Sequence, residues 1–155
     1  MRFLLILLGL LSVAGTCFAR IGETFDECKK RYGEPDSVDK ETGHAIFVKA
    51  QMLIKARFKA GVCEKITFGR EEILDDGTPQ PMTSEEIAQL MKVNEKEAWA
   101  NKDFKDYGWI CESWGANYRA QYSLREQALT IWSKAAFISD LQNASSDKTR
   151  HLRNF

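Results

Sequence analysis

The side chains best suited to chemistry in this 155-residue chain are four cysteines and two histidines. These residues are Cys17, Cys28, Cys63, Cys111, His44 and His151. They include no C-x-x-C pair, so their spacing does not fit a zinc site. The sequence also contains no Gly-rich phosphate loop, G-x-S-x-G or H-E-x-x-H motif. We therefore expect no metal, no cofactor and no catalytic residues.

The cysteines allow two interpretations. Cys28 has helical spacing from Phe25 and is expected in the core, whereas strand alternation places Cys63 on the opposite side of a sheet. A Cys28–Cys63 disulfide would then have to cross the sheet, which leaves Cys63–Cys111 as the candidate bridge. Three buried free thiols are the alternative. A cysteine-dependent enzyme would need Cys63 or Cys111 beside His44, and nothing in the sequence brings them together.

A second candidate site is a cationic sheet face formed by Lys55, Arg57, Lys59 and Lys65. The alternation of residues 52–58 and 62–68 puts these side chains opposite the apolar ones, with Lys55 directly across from Lys65. Like charges across a sheet are destabilising, so an acidic group in the chain or on a partner should compensate them. A solvated strand face without a partner is the alternative.

The third candidate is aromatic, because all four tryptophans lie in the second half of the chain. Trp109 and Trp114 have opposite parity on one predicted strand, so one of them is expected at the surface as a binding residue. The alternative is that these rings build the core of a small domain.

The first nineteen residues are expected to be a secretory signal peptide cleaved near Ala19. Arg2 is followed by a short apolar run and then by small residues, and the run is too short to cross a membrane. The mature protein is therefore expected to be secreted or periplasmic, without a transmembrane span. Lipidation at Cys17 is the alternative. The balance of 22 basic and 22 acidic residues argues against nucleic-acid binding.

Two T-x-x-E capping boxes, at Thr24 and Thr83, organise the remainder of the chain. Each is expected to begin a helix, and Gly33 with Pro35 ends the first one. Strands are expected at 44–49, 52–58, 62–68, 108–114, 118–122 and 128–132. We expect a signal peptide at 1–19, a first unit at 20–69, a connector at 70–83, a second unit at 84–142 and a flexible tail at 143–155. Residues 133–142 fit either a strand or a helix.

The hairpin between 52–58 and 62–68 has two candidate turns. A three-residue turn over residues 59–61, with Gly61 in the left-handed conformation, pairs Phe58 with Val62 and Ile54 with Ile66. A two-residue turn would pair apolar with charged side chains, so the three-residue turn is predicted.

The segment at 24–35, TFDECKKRYGEP, followed by the hairpin that turns at Gly61, resembles the helix-plus-sheet unit of small exported bacterial proteins. These are the outer-membrane assembly lipoproteins of the BamE/SmpA type and the tandem β-lactamase inhibitory proteins. It also resembles secreted bacterial proteins that begin with RxGET…RYGxP. The resemblance implies a non-catalytic protein that works through protein contacts.

The sequence therefore predicts an α+β fold of two helix-led units, each with an antiparallel β-meander, and with the helices packed on one face of the sheet. The expected function is an exported protein-binding module with an open sheet face, whose partner is another exported protein with an acidic surface. An envelope assembly or structural component is the alternative.

Overall fold

The computed structural model of the protein describes residues 20–94, 98–105, 108–113 and 115–152, with the side chains of 101–105 and 146–152 left out. The predicted signal peptide and Trp114 lie outside the described residues.

The described chain forms three helices and one open antiparallel sheet of eight strands. The helices are α1 (Phe25–Tyr32), α2 (Ser84–Val93) and α3 (Lys134–Leu152). The strands are β1 (Ser37–Asp39), β2 (His44–Lys49), β3 (Met52–Lys59), β4 (Val62–Arg70), β5 (Trp99–Lys105), β6 (Gly108–Ser113), β7 (Tyr118–Ser123) and β8 (Ala128–Ser133).

The sheet consists of two four-stranded meanders joined at their last strands. Its order is β1-β2-β3-β4-β8-β7-β6-β5, with β4 antiparallel to β8. A helix precedes each meander, α1 before β1 and α2 before β5. The predicted α+β class with two helix-led units is thus confirmed. Strands β1 and β5 at the two edges were not predicted.

Both capping boxes form as predicted. The Thr24 hydroxyl accepts a hydrogen bond from the Glu27 amide, and the Glu27 carboxylate accepts one from the Thr24 amide. Thr83 and Glu86 make the same pair of bonds at α2. α1 ends at Gly33, whose φ of 97° suits glycine.

The main core lies between the sheet and the pair α1 and α2. Cys28 and Tyr32 of α1 are buried, and the Phe25 ring lies 5.4 Å from that of Phe58. Leu90 is the buried residue of α2, and it belongs to the same cluster of buried side chains as Cys28. These two helices therefore share one face, as predicted.

The third helix, α3, packs on the opposite face of the sheet. It decides the open choice at 133–142 in favour of a helix, which continues to Leu152. The Ser133 hydroxyl accepts a hydrogen bond from the Ala136 amide, as an N-cap does. The Phe137 ring packs edge-on against Trp132, with ring centroids 5.7 Å apart. Trp132 points away from the main core, so α3 packs on the second face.

The predicted register of the β3–β4 hairpin is wrong. Lys59 pairs with Val62 across a two-residue turn, in which Ala60 and Gly61 have φ of 50° and 81°. Two positive φ values define a type I′ turn, which matches the twist of a hairpin. The pairing then shifts between Arg57 and Phe58, and Glu64 is left as the extra residue of a β-bulge.

A two-residue turn without a bulge would place Ile66 and Phe68 on the α3 side of the sheet. The extra residue, Glu64, returns them to the main-core face. Cys63 pairs with Phe58 and is buried on the same face as Ile66 and Phe68. Arg57 pairs with Lys65 on the α3 side of the sheet. Cys63 therefore belongs to the main core, and the expectation that it lies on the opposite side of the sheet from Cys28 is wrong.

Candidate functional site

The predicted cationic residues of β3 and β4 lie on the face of the sheet that carries α3. The register differs from the prediction: Lys55 is opposite Thr67, and the like-charged pair is Arg57 and Lys65. Lys59 is exposed beside the hairpin turn. A like-charged pair across two strands calls for a counter-charge nearby.

Asp140 of α3 supplies that counter-charge. Its Oδ1 atom lies 2.7 Å from Nη1 of Arg57, and its Oδ2 atom lies 2.9 Å from Nζ of Lys65. Oδ2 also accepts a hydrogen bond of 3.1 Å from the indole Nε1 of Trp132. Arg57 has a second acidic neighbour, because its Nε atom lies 2.8 Å from Oε1 of Glu64.

These contacts change the acidity of Asp140. Burial alone would raise its pKa, but the hydrogen bonds from Lys65, Arg57 and Trp132 favour the ionised carboxylate more strongly. The pKa of Asp140 therefore lies below the ordinary value for an aspartate. The carboxylate is ionised at neutral pH and holds α3 against the sheet.

The ion pairs remove Arg57 and Lys65 from the predicted four-residue binding patch. Lys55 and Lys59 are exposed, and neither makes an ion pair with the described part of the chain. Acidic groups of the chain itself therefore compensate two of the four cationic residues, Arg57 and Lys65. Lys55 and Lys59 therefore remain available, and of these two it is Lys55 that lines an open groove of the sheet face.

A groove runs beside Lys55 over the part of this face that α3 leaves open. We call it the α3-side groove; its volume is about 670 Å³. It is lined by Leu53, Lys55, Lys65, Thr67, Gly69, Arg70, Glu71, Ile73, Pro79, Gln121, Ser123, Glu126, Ala128, Thr130 and Trp132. The groove extends from Trp132, beside α3, to the connector at Ile73 and Pro79.

The groove combines apolar and polar side chains. The hydroxyls of Thr67 and Thr130 are hydrogen-bonded to each other at 3.0 Å across β4 and β8. Ile73 of the connector keeps 57% of its surface exposed, although it is a large apolar residue. Glu71 and Glu126 add acidic groups to the lining. Such a mixed, open surface suits a protein segment better than a small apolar molecule.

The predicted exposed tryptophan is not Trp109. Trp109 is 8% exposed, and its ring stacks on Tyr122 on the main-core side of the sheet with a centroid distance of 6.2 Å. Trp109 is therefore mainly a core residue. The prediction that one of Trp109 and Trp114 is exposed then falls on Trp114, which lies outside the described residues, and stays a prediction.

A separate cleft lies between α2 and the strands β5 and β6. Its volume is about 440 Å³, and it is lined by Ser84, Ile87, Ala88, Met91, Trp99, Ala100, Trp109 and Cys111. The indole Nε1 of Trp99 donates a hydrogen bond of 3.0 Å to the carbonyl of Met91, which fixes the ring at its edge. This cleft could not be predicted from the sequence, because α2 and β5 meet only in the folded chain.

Three thiols are described; all three are buried, and none of them is in a disulfide. Cys28 and Cys63 are neighbours in the main core, and the interaction with the Cys28 side chain together with burial raises the pKa of Cys63. Cys111 is on β6, three strands away from β4 and thus about 14 Å away. The predicted Cys63–Cys111 disulfide is therefore wrong, since bonded cysteines have Cα atoms within about 7 Å.

Cys63 does not form a catalytic pair with His44. The imidazole of His44 is exposed and its Nδ1 atom lies 2.9 Å from the hydroxyl of Thr42. Cys63 is buried on the other face of the sheet, with its pKa raised, which disfavours the nucleophilic thiolate. The alternative of an enzyme that uses Cys63 with His44 is therefore not supported.

No group of three or more possible metal ligands occurs among the residues that the structure describes. In the same part of the chain, no helix has the length and apolar character needed to cross a membrane.

No known protein family matches the sequence, and no curated protein does. Among solved structures, the chain is similar to a cysteine-rich secretory protein from Staphylococcus aureus, with 12% identity and a TM-score of 0.41. The similarity covers 75% of this chain and 45% of that protein, so this chain spans less than half of its length. A likeness of this degree supports no inference about function.

Proposed function

We propose that the protein is an exported, non-catalytic binding module whose α3-side groove receives a segment of another exported protein. The leader pattern in the first nineteen residues supports export. The main-core face of the sheet is occupied by α1 and α2, whereas the groove is an open part of the other face.

The observation that carries this proposal is the state of Lys55. Its neighbours Arg57 and Lys65 are neutralised by Asp140, whereas Lys55 is exposed in the groove without an ion pair in the described structure. An acidic side chain of a partner segment would give Lys55 the counter-charge that Asp140 gives to Arg57 and Lys65. The apolar surface of Ile73 offers contact area for the rest of that segment.

The tandem plan of two helix-led meanders in one sheet supports the proposed likeness to the tandem β-lactamase inhibitory proteins, which work through protein contacts. The BamE/SmpA likeness supports the alternative of an envelope assembly component. That alternative would use Cys17 as a lipid anchor, and the mass of the mature N-terminus distinguishes the two.

Charge reversal in the groove tests the proposal. The exported fraction of the source organism is cross-linked to the wild type, the captured partner is identified and purified, and its affinity is measured for each variant. We expect Lys55→Glu to weaken binding about tenfold or more, because it replaces an attraction with a repulsion.

Lys59→Glu is the matched control, since Lys59 is also an exposed lysine of β3 but does not line the groove. Circular dichroism establishes that both variants are folded. Wild-type affinity in Lys55→Glu would show that the partner binds elsewhere. An equal loss in both variants would indicate a general charge effect and not the groove.

A further inference from the structure

Cys28 of α1 and Cys63 of β4 meet at one buried position, although 34 residues separate them in the sequence. Cys28 is 0% exposed and Cys63 is 1% exposed. Both belong to the same cluster of buried core residues and their side chains interact, while the Cys63 thiol donates to the carbonyl of Lys65 at 3.4 Å.

The backbone holds the two cysteines in this position from both sides. The Gly22 amide donates to the Cys63 carbonyl at 2.7 Å, and the Cys63 amide donates to the Glu23 carbonyl at 2.7 Å. The capping box at Thr24 then begins α1, which carries Cys28 one turn later. The segment before α1 is therefore tied to the same residue of β4 that faces Cys28.

We propose that Cys28 and Cys63 form a disulfide bond when the chain folds under oxidising conditions. The inference deepens the proposed function, because it rests on export for the conditions in which the bond forms. The two thiols lose two protons and two electrons as the S–S bond forms. A disulfide oxidant such as oxidised glutathione accepts them and is cleaved to two thiols, through a mixed disulfide.

The fold selects this pair over the other two. Cys111 lies about three strand spacings from Cys63, beyond the reach of a disulfide. It is buried beneath α2, in the second unit, whereas Cys28 is in the first. Cys111 is therefore expected to remain a free thiol in the oxidised protein.

The bond would fasten α1 to the sheet in the first unit only. When the two capping boxes are aligned at Thr24 and Thr83, the position of Cys28 corresponds to Ile87 of α2. The second unit thus has an apolar contact where the first has a thiol pair. The proposed disulfide makes α1 the more firmly attached of the two helices.

Refolding followed by peptide mapping tests the proposal. The mature chain from residue 20 is reduced, unfolded and refolded with reduced and oxidised glutathione, and its remaining thiols are then alkylated. After tryptic digestion we expect peptides 21–29 and 60–65 to be linked, and one thiol per chain to be alkylated. A folded product with three alkylated thiols, or with Cys111 in a bond, would overturn the proposal.

Two variants keep the result interpretable. Cys111→Ala should give the same linked peptides and no alkylated thiol, whereas Cys28→Ala should give two alkylated thiols and no bond. A Cys63–Cys111 bond in Cys28→Ala would contradict the geometry described above. A separate arm carries the full chain with its leader in the source organism and alkylates thiols at harvest. A reduced pair in that arm contradicts export without affecting the refolding result.

Discussion

Asp140→Asn is expected to loosen α3 from the sheet and to lower the stability of the protein. In the wild type, the carboxylate receives hydrogen bonds from Arg57 at 2.7 Å, from Lys65 at 2.9 Å and from Trp132 at 3.1 Å. An amide has one acceptor oxygen in place of two, and no charge. Its NH₂ group would point at one of these donors, so at least one of them loses its partner.

The size of the effect follows from the burial of the three partners. A hydrogen bond to a charged group contributes about 1.5–3 kcal/mol when it is buried. The Lys65 side chain is 28% exposed and can turn to water, and Arg57 keeps its ion pair with Glu64. We therefore expect a loss near the lower end for the whole cluster, about 2 kcal/mol in the free energy of unfolding.

Two measurements follow this loss separately. Urea unfolding monitored by circular dichroism gives the free energy of unfolding. Hydrogen exchange over residues 134–145 reports whether α3 opens on its own. Asp36→Asn is the control, because Asp36 is an exposed aspartate that faces no cation in the described structure. Unchanged stability together with unchanged exchange in α3 would refute the role assigned to Asp140.

Three further predictions follow from the same structure. Because the pKa of Asp140 is lowered, its carboxylate stabilises the fold fully above the pKa of an unfolded aspartate, about 3.9. This stabilisation is lost as pH falls through the lowered pKa, and hydrogen exchange of α3 should accelerate in that range. Gly43→Ala should lower the free energy of unfolding clearly more than Gly61→Ala, because both glycines have positive φ but of the two Cβ atoms it is the one at 43 that would clash with the carbonyl oxygen of Phe58. If Cys28 and Cys63 are bonded, reduction should lower the stability of the protein by about 4 kcal/mol for a loop of this length.

Each of these predictions has an internal comparison. The acid-induced loosening of α3 should be absent from Asp140→Asn, and the same pH profile in both proteins would assign it to another group. Equal costs in Gly43→Ala and Gly61→Ala, measured by urea unfolding, would mean that the turn at 43 relaxes freely. A melting temperature that a reductant leaves unchanged in the oxidised protein would contradict the stabilisation by the disulfide.

The helices at the two capping boxes could be predicted because their signals are local. Thr24 and Glu27 are three residues apart, and so are Thr83 and Glu86; each pair satisfies the amides of its own helix without help from the rest of the chain. Gly33 ends α1 in the same local way. The two-unit organisation followed from this repeated start signal.

α3 and its anchor could not be predicted in this way. The cationic partners of Asp140 are 83 and 75 residues away in the sequence, so nothing near Asp140 shows its role. The outward side of α3 also carries exposed apolar residues, Ile138 at 44% and Leu141 at 52%. These blur the amphipathic pattern from which a surface helix is usually identified.

The hairpin register was predicted wrongly for a different reason. The spacing of the apolar residues in β4 indicates a bulge, but the prediction assumed a regularly alternating strand. The buried residues Cys63, Ile66 and Phe68 are spaced three and then two apart. A regular strand cannot bury positions 63 and 66 on one face, whereas a strand with one extra residue between them can. The spacing of three between Cys63 and Ile66 therefore indicates the bulge, which is missed when strict alternation is assumed.

The bulge at Glu64 connects the two faces of the sheet. Without an extra residue, the two-residue turn would put Cys63 and Ile66 on opposite faces. With it, Cys63 reaches Cys28 under α1, while Lys65 stands beside Arg57 under α3. The thiol pair that holds one helix and the charge cluster that holds another thus depend on the same inserted residue. This dependence explains why one wrong register put Cys63 on the wrong face of the sheet and paired Lys65 with Lys55 in place of Arg57.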